Sequence, residues 1–291
     1  YCFCRTFGSH LPHPSLFSRT GPHWSHLLTV NRPASGALPL PGFMIDWLAG
    51  VGRVSRVTFE HAGGLGLLSW QIIRATVRLK VSMRSVLNQM YIMGVQSLPI
   101  VLVTGSLAGI VTSQQGGYQM TSAMPAYVLG SLVVETVVLE MGPVLTAIVL
   151  VGRIGARITA ELGTMVVSEQ IDAFKSLGRD PVAILAAPRV IAGILVLPLL
   201  VGIADMIGIL AGVGAAYLDV GLGVESFFYG ARLFWHSWDL LYSLTKALVF
   251  GLAIPLISVH MGLKTKGGAE GVGITTTQAV MFMTLTILIL D

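Results

Sequence analysis

The sequence predicts an all-α integral membrane protein. Five transmembrane helices are preceded by an amphipathic interfacial helix, and a short cytoplasmic helix lies between the second and third spans. Three observations predict it. Hydrophobic residues make up 54% of the chain and charged residues 11%, against about 25% charged in ordinary soluble domains. The mean hydropathy is +0.78. Apolar runs of spanning length recur along the chain, and the loops between them alternate between basic and non-basic.

Residues 1–43 stand apart as a leader. They contain no Asp, Glu or Met, are rich in Pro, Ser and His, and carry Arg5, Arg19 and Arg32. This composition fits an organelle transit peptide and equally a non-native extension upstream of Met44. It has no continuous apolar stretch of the kind a secretory signal needs. Cys2 and Cys4 fall here; two thiols supply too few ligands for zinc unless His10 and His13 join them.

Residues 44–88 form the interfacial region. Trp70, Ile73, Val77 and Val81 recur at helical spacing, with Arg74, Arg78, Lys80 and Arg84 between them. A basic helix with an apolar strip and a tryptophan suits a membrane surface; its plainer reading is a solvated helix packed on its own protein.

Residues 89–291 hold the spans. A spanning helix needs about 20 mostly apolar residues. The runs extend from about Tyr91 to Thr112, Tyr127 to Val151, Val190 to Tyr217, Leu240 to Met261, and Thr275 to Asp291, the last short. Arg53, Arg56, Arg74, Arg78, Lys80 and Arg84 precede the first run. No charge lies in Ser113–Ala126. Arg153, Arg157, Lys175, Arg179 and Arg189 follow the second run, Arg232 alone is basic after the third, and Lys264 and Lys266 follow the fourth. The N-terminus and the loops at 152–189 and 262–274 are therefore expected on the cytoplasmic side. Gly105/Gly109 and Gly208/Gly212 offer small-xxx-small packing faces. Pro99, Pro143, Pro198 and Pro255 shape the spans.

No enzyme motif is present. There is no G-x-S-x-G, H-E-x-x-H or G-x-x-x-x-G-K-[ST], and His61, His236 and His260 lack ligand spacing. The chain is expected not to be an enzyme, to hold no metal or cofactor, and to bind no nucleic acid.

The most informative stretch is Leu139–Gly193, LEMGPVLTAIVLVGRIGARITAELGTMVVSEQIDAFKSLGRDPVAILAAPRVIAG. Glu140 places an ionisable group at membrane depth, where it faces a cavity or a partner. Arg153, Arg157 and Glu161 follow at four-residue steps as a structural charged face, and an exposed Arg157–Glu161 pair contributes about 0.3–0.5 kcal/mol. Ser168–Leu177 reads as a short helix, with Ser168 as N-cap and Glu169 at its positive end. Ile171, Phe174 and Leu177 line one side, Gly178 ends it, and Pro181 follows. Such a helix either packs under the bundle or docks into a partner.

This stretch closely resembles the signature of MlaE-type permeases, membrane subunits of ABC transporters that work with MCE-domain proteins. The family includes plastid trigalactosyldiacylglycerol permeases. Gly267-Gly-Ala-Glu-Gly-Val-Gly273 followed by Thr275-Thr-Thr-Gln-Ala-Val280 is a second match, and the resemblance covers about 85–291. It implies a homodimer that moves phospholipid or a related lipid between membranes. An ABC ATPase subunit would bind on the cytoplasmic side and consume the ATP, and an MCE-domain lipid-binding protein would sit on the other side. By this resemblance the short helix is the coupling helix, with Ser168, Glu169, Gln170, Ile171, Asp172, Phe174 and Lys175 toward the ATPase. Glu140 lies beside the lipid cavity, with Pro143, Thr146 and Tyr118 as further lining candidates. The resemblance further implies residues beyond Asp291 and hence an incomplete fifth helix. A bacterial inner membrane is the first expectation for location and a plastid inner envelope the second.

Two other classes compete. A passive anchor that only recruits partners has no reason to carry Glu135, Glu140 and Asp205 in its spans. An ion channel needs a ring of charge or a filter sequence, which is missing.

Overall fold

The computed structural model describes residues 63–78, 81–120 and 125–291. The readings made for the leader, for 44–62 and for Arg53, Arg56, His61 and Lys80 lie outside them. In chain order the helices are α1 (63–77), α2 (Met83–Gln119) and α3 (Val128–Val167), α4 (Gln170–Ser176), α5 (Val182–Asp219), α6 (Val224–Phe234), α7 (Ser237–Leu263) and α8 (Gly268–Leu290). The described residues contain no strand. The protein is an all-α integral membrane protein whose five spans are α2, α3, α5, α7 and α8.

The spans outrun the apolar stretches that announce them. α3 has 40 residues, about 60 Å of helix, twice the roughly 30 Å hydrocarbon core. Backbone hydrogen bonding continues through residues that hydropathy assigns to loops. Arg153, Arg157 and Glu161 thus lie in α3, and Arg189, expected in a loop, lies buried inside α5. The expected loop 152–189 shrinks to the turns on either side of α4. The expected connection after the third span contains α6, which packs on the first turns of α3. Phe227 of α6 joins Leu129, Val133 and Val137 in a small core of its own.

α8 also corrects the sequence reading. It begins at Gly268 rather than near Thr275, and its 23 residues give about 35 Å of helix, enough to span. Gly267 and Gly268 adopt φ 91° and 70°, so the glycine-rich stretch turns the chain and then enters the helix at once.

Packing follows the small residues. A methyl group on Gly109 would overlap the Gly208 carbonyl, and one on Gly105 would press on the Ala204 carbonyl. The two small-xxx-small faces therefore meet each other, α2 against α5, backbone on backbone. The main core combines Leu150, Ile154 and Leu162 of α3 with Leu197 of α5, Phe250 and Ile254 of α7, and Met283 and Ile287 of α8.

Candidate functional site

The first polar site forms where α3 departs from regular helix. Val137–Met141 is a wide π-turn, and Gly142-Pro143 follows it. Pro143 has no N–H to give the Leu139 carbonyl four residues back. Lys246 of α7 takes that place: its Nζ donates to the Leu139 oxygen at 3.2 Å and to Asp291 Oδ1 at 2.9 Å. The ammonium also lies 4.7 Å from the centre of the Tyr242 ring, a cation–π contact. Lys246 is only 7% exposed. Glu140 is exposed on the π-turn, near enough for its charge to act on Lys246.

Asp205 of α5 lies against the same turn. Ser243, one turn before Lys246 on α7, stands close to its carboxylate. Asp205 Oδ1 has no hydrogen-bond partner among the described residues. That oxygen occupies the space where a side chain at residue 142 would begin, so a larger residue there would displace the carboxylate. The turn between Leu139 and Pro143 thus carries Glu140, packs against Asp205 of α5, and is met by Lys246 of α7 with its partner Asp291. Beside it, an apolar groove of about 320 Å³ runs between α2 and α3, lined by Leu107, Val111, Met141, Leu145 and Val149.

The second polar site lies at the opposite end of α3. Glu161 accepts from Arg157 Nε at 2.7 Å and from Arg189 at 3.0 Å. The Arg189 side chain is 5% exposed and also donates to the Leu185 carbonyl. α4 follows directly. The described residues bring no three metal-ligating side chains together.

Residues 86–291 match the model of the family Permease MlaE. The chain belongs to the MlaE permease family. A probable ABC transporter permease protein of Synechocystis sp. is 36% identical over 231 residues, 79% of this chain and 88% of that protein. One of Rickettsia felis is 34% identical over 241 residues, 82% and 92% of the two chains. The protein TRIGALACTOSYLDIACYLGLYCEROL 1, chloroplastic, of Arabidopsis thaliana is 33% identical over 225 residues, covering 77% of this chain and 64% of that protein.

In this MlaE permease the residues expected to couple to a partner share one exposed corner. Glu169, Gln170, Asp172 and Lys175 are exposed, Asp172 pairs with Lys175 at 2.8 Å, and Ile171 anchors the helix in the bundle. Phe174 is half-buried, and Leu177 lies beyond the helix, 74% exposed. Ser168 is a correction. It is not the N-cap of α4; its Oγ donates to the Thr164 carbonyl at 2.7 Å and closes α3. Glu169 is the capping residue, at φ 57° in the left-handed region. α3 runs on to Val167, so the hydroxyl is taken up backwards. Gly178, at φ 71°, ends α4 as expected.

The expected lining residues do not form one surface. Glu140 is exposed, Pro143 and Thr146 are buried in the bundle, and Tyr118 is 91% exposed at the far end of α2. Of the three acids expected in the spans, Asp205 is buried, Glu135 half-buried and Glu140 exposed. Sequence reading missed Lys246, a single cation inside an otherwise apolar run, which is itself the signal for a functional residue. It also missed the role of Asp291 as partner of Lys246.

Proposed function

We propose that this permease is the membrane subunit of an ATP-driven transporter of phospholipid or a related lipid. The observation that carries this reading is the polar turn around Glu140 and Lys246 set beside an apolar groove. An amphipathic lipid needs both: an acyl chain is accommodated by Met141, Leu145 and Leu107, and a headgroup by fixed charges at membrane depth. The name of the Arabidopsis relative, which contains a diacylglycerol lipid, supports the same cargo class.

The energy comes from a separate ATPase subunit, for which α4 is the docking element. The exposed Glu169, Gln170, Asp172 and Lys175 meet the ATPase, and Ile171 and Phe174 carry its movement into α3 and α5. Glu161, held by both Arg157 of α3 and Arg189 of α5, makes those two helices move together near α4. ATP binding and hydrolysis bias two arrangements of the bundle by differential contact with α4. The assembly is a homodimer with an MCE-domain protein on the far side, in a bacterial inner membrane with the basic loops in the cytoplasm; a plastid inner envelope is the second location.

The test is lipid transfer from proteoliposomes holding the permease and its ATPase. Charge reversal of Glu169 and Asp172 is expected to abolish ATP-dependent transfer of labelled phospholipid while membrane insertion stays intact. Normal transfer by that double variant overturns the docking role of α4. Unchanged transfer by Glu140→Leu together with Lys246→Met overturns the cargo reading.

A further inference from the structure

Helix α1 presents three different faces. Leu68, Ile72 and Ala75 are buried in the bundle. Trp70, Ile73 and Val77 are 66, 55 and 75% exposed. A third face carries Gln71, Arg74 and Arg78, which line a polar groove of about 500 Å³; its other wall is Lys175 of α4 with Asp180 and Pro181 at the entry to α5. Buried, apolar-exposed and basic faces on one helix place it in the membrane surface, Trp70 toward the acyl chains and the arginines toward the headgroups.

The groove is prepared for an anion. Arg74 and Arg78 lie one turn apart on α1 and reach the same space. Lys175 is paired with Asp172, but both side chains are mostly exposed, at 61% and 73%, so an incoming anion replaces that pair at little cost. Asp180 already uses Oδ1 to accept the Val182 N–H at 3.0 Å at the start of α5. Three cations therefore face two carboxylates, Asp172 on Lys175 and Asp180, one of whose oxygens the Val182 N–H already holds. Arginine forks match phosphate oxygens in pairs, and basic pockets at the cytoplasmic membrane surface recognise anionic headgroups.

We propose that this groove binds the phosphate of an anionic phospholipid of the cytoplasmic leaflet, as a resident lipid distinct from the transported one. Through Arg74 and Arg78 on one side and Lys175 on the other, the bound headgroup joins the interfacial helix to α4. The mobility of α4 then depends on the anionic lipid content of the membrane. The proposal does not depend on the identity of the cargo.

The experiment uses the full chain in detergent. Native mass spectrometry counts bound lipid, and thermal unfolding is followed with added phosphatidylglycerol, phosphatidylcholine or inorganic phosphate. Phosphatidylglycerol is expected to bind and to raise the unfolding temperature by several degrees, whereas phosphatidylcholine does neither. Each cation lost weakens binding about fivefold, so Arg74→Gln with Arg78→Gln, and Arg74→Gln with Lys175→Gln, lose the bound lipid and the shift. Arg179→Gln, a charge loss at an exposed residue nearby, keeps both. Equal binding in the groove variants, or equal loss in Arg179→Gln, overturns the site. The same stabilisation by inorganic phosphate alone overturns the lipid as its occupant. If the glutamine variants fail to fold, Arg74→Lys with Arg78→Lys provides the second comparison. That variant is expected to bind more weakly than the native chain, and undiminished binding overturns the arginine-fork recognition.

Discussion

Lys246 Nζ donates to the Leu139 carbonyl oxygen at 3.2 Å, four residues before Pro143, which has no N–H to offer it. A buried lysine on one span thus bonds to the backbone of another. Replacing it removes this bond and leaves Asp291 without its ion-pair partner. Lys246→Met is expected to cost about 1–2 kcal/mol, since polar contacts within membranes contribute about 0.6–2 kcal/mol each. Adding Asp291→Asn restores part of the stability and none of the transport. Thermal unfolding in detergent and lipid transfer, measured on the same preparations, separate the two effects; full transport in Lys246→Met would leave the lysine a purely structural role.

Gly142 makes room for Asp205 Oδ1. Gly142→Ala forces the carboxylate to move within a packed interior, at a cost of roughly 1–3 kcal/mol. Asp205→Ser in the same chain is expected to recover most of that loss. A Gly142→Ala protein with the native unfolding temperature contradicts the geometry.

At the α2–α5 crossing, Gly109→Val is expected to separate the helices and destabilise the protein strongly, because the added side chain meets the Gly208 backbone rather than a flexible group. Gly202→Ala on α5 is the control: a methyl there meets nothing within 4 Å, and it should be neutral or slightly stabilising. Expression level and unfolding temperature of the two variants give the comparison.

The two arginines on Glu161 are unequal. Arg157 is 48% exposed, so Arg157→Gln is expected to cost less than about 0.5 kcal/mol and to matter less in high salt. The Arg189 side chain is 5% exposed, and Arg189→Met is expected to cost on the order of 2 kcal/mol, independent of salt. Unfolding at low and high ionic strength distinguishes them. Equal, salt-sensitive losses would mean that Arg189 is not sequestered.

Glu169 holds a left-handed backbone that costs a non-glycine residue about 1 kcal/mol. Glu169→Gly should therefore leave stability unchanged or slightly higher while lowering ATPase-coupled transfer. Undiminished transfer in that variant assigns the coupling contact to Asp172 and Lys175 instead.

Much of this molecule follows from local spacing. The apolar runs and the alternation of basic loops determine an all-α membrane protein with five spans. The segment from Leu139 to Gly193 determines its family. Contacts one turn apart were legible too: Arg157 with Glu161, and the four-residue rhythm of Gly105/Gly109 and Gly208/Gly212, because helical periodicity alone places such residues on one face. Ser168 shows the limit of that reasoning. Its hydroxyl suits either the end of α3 or the start of α4, and only the continuation of α3 to Val167 decides between them.

The polar sites were decided by tertiary structure. Lys246 and Leu139 are 107 positions apart, and Glu161 and Arg189 are 28 apart. Which faces of two long helices meet is determined by packing of the whole bundle, and no repeat within either helix encodes it. A proline with no N–H to offer the carbonyl four residues back can be read from sequence. The lysine that reaches that carbonyl is known only once α3 and α7 lie side by side.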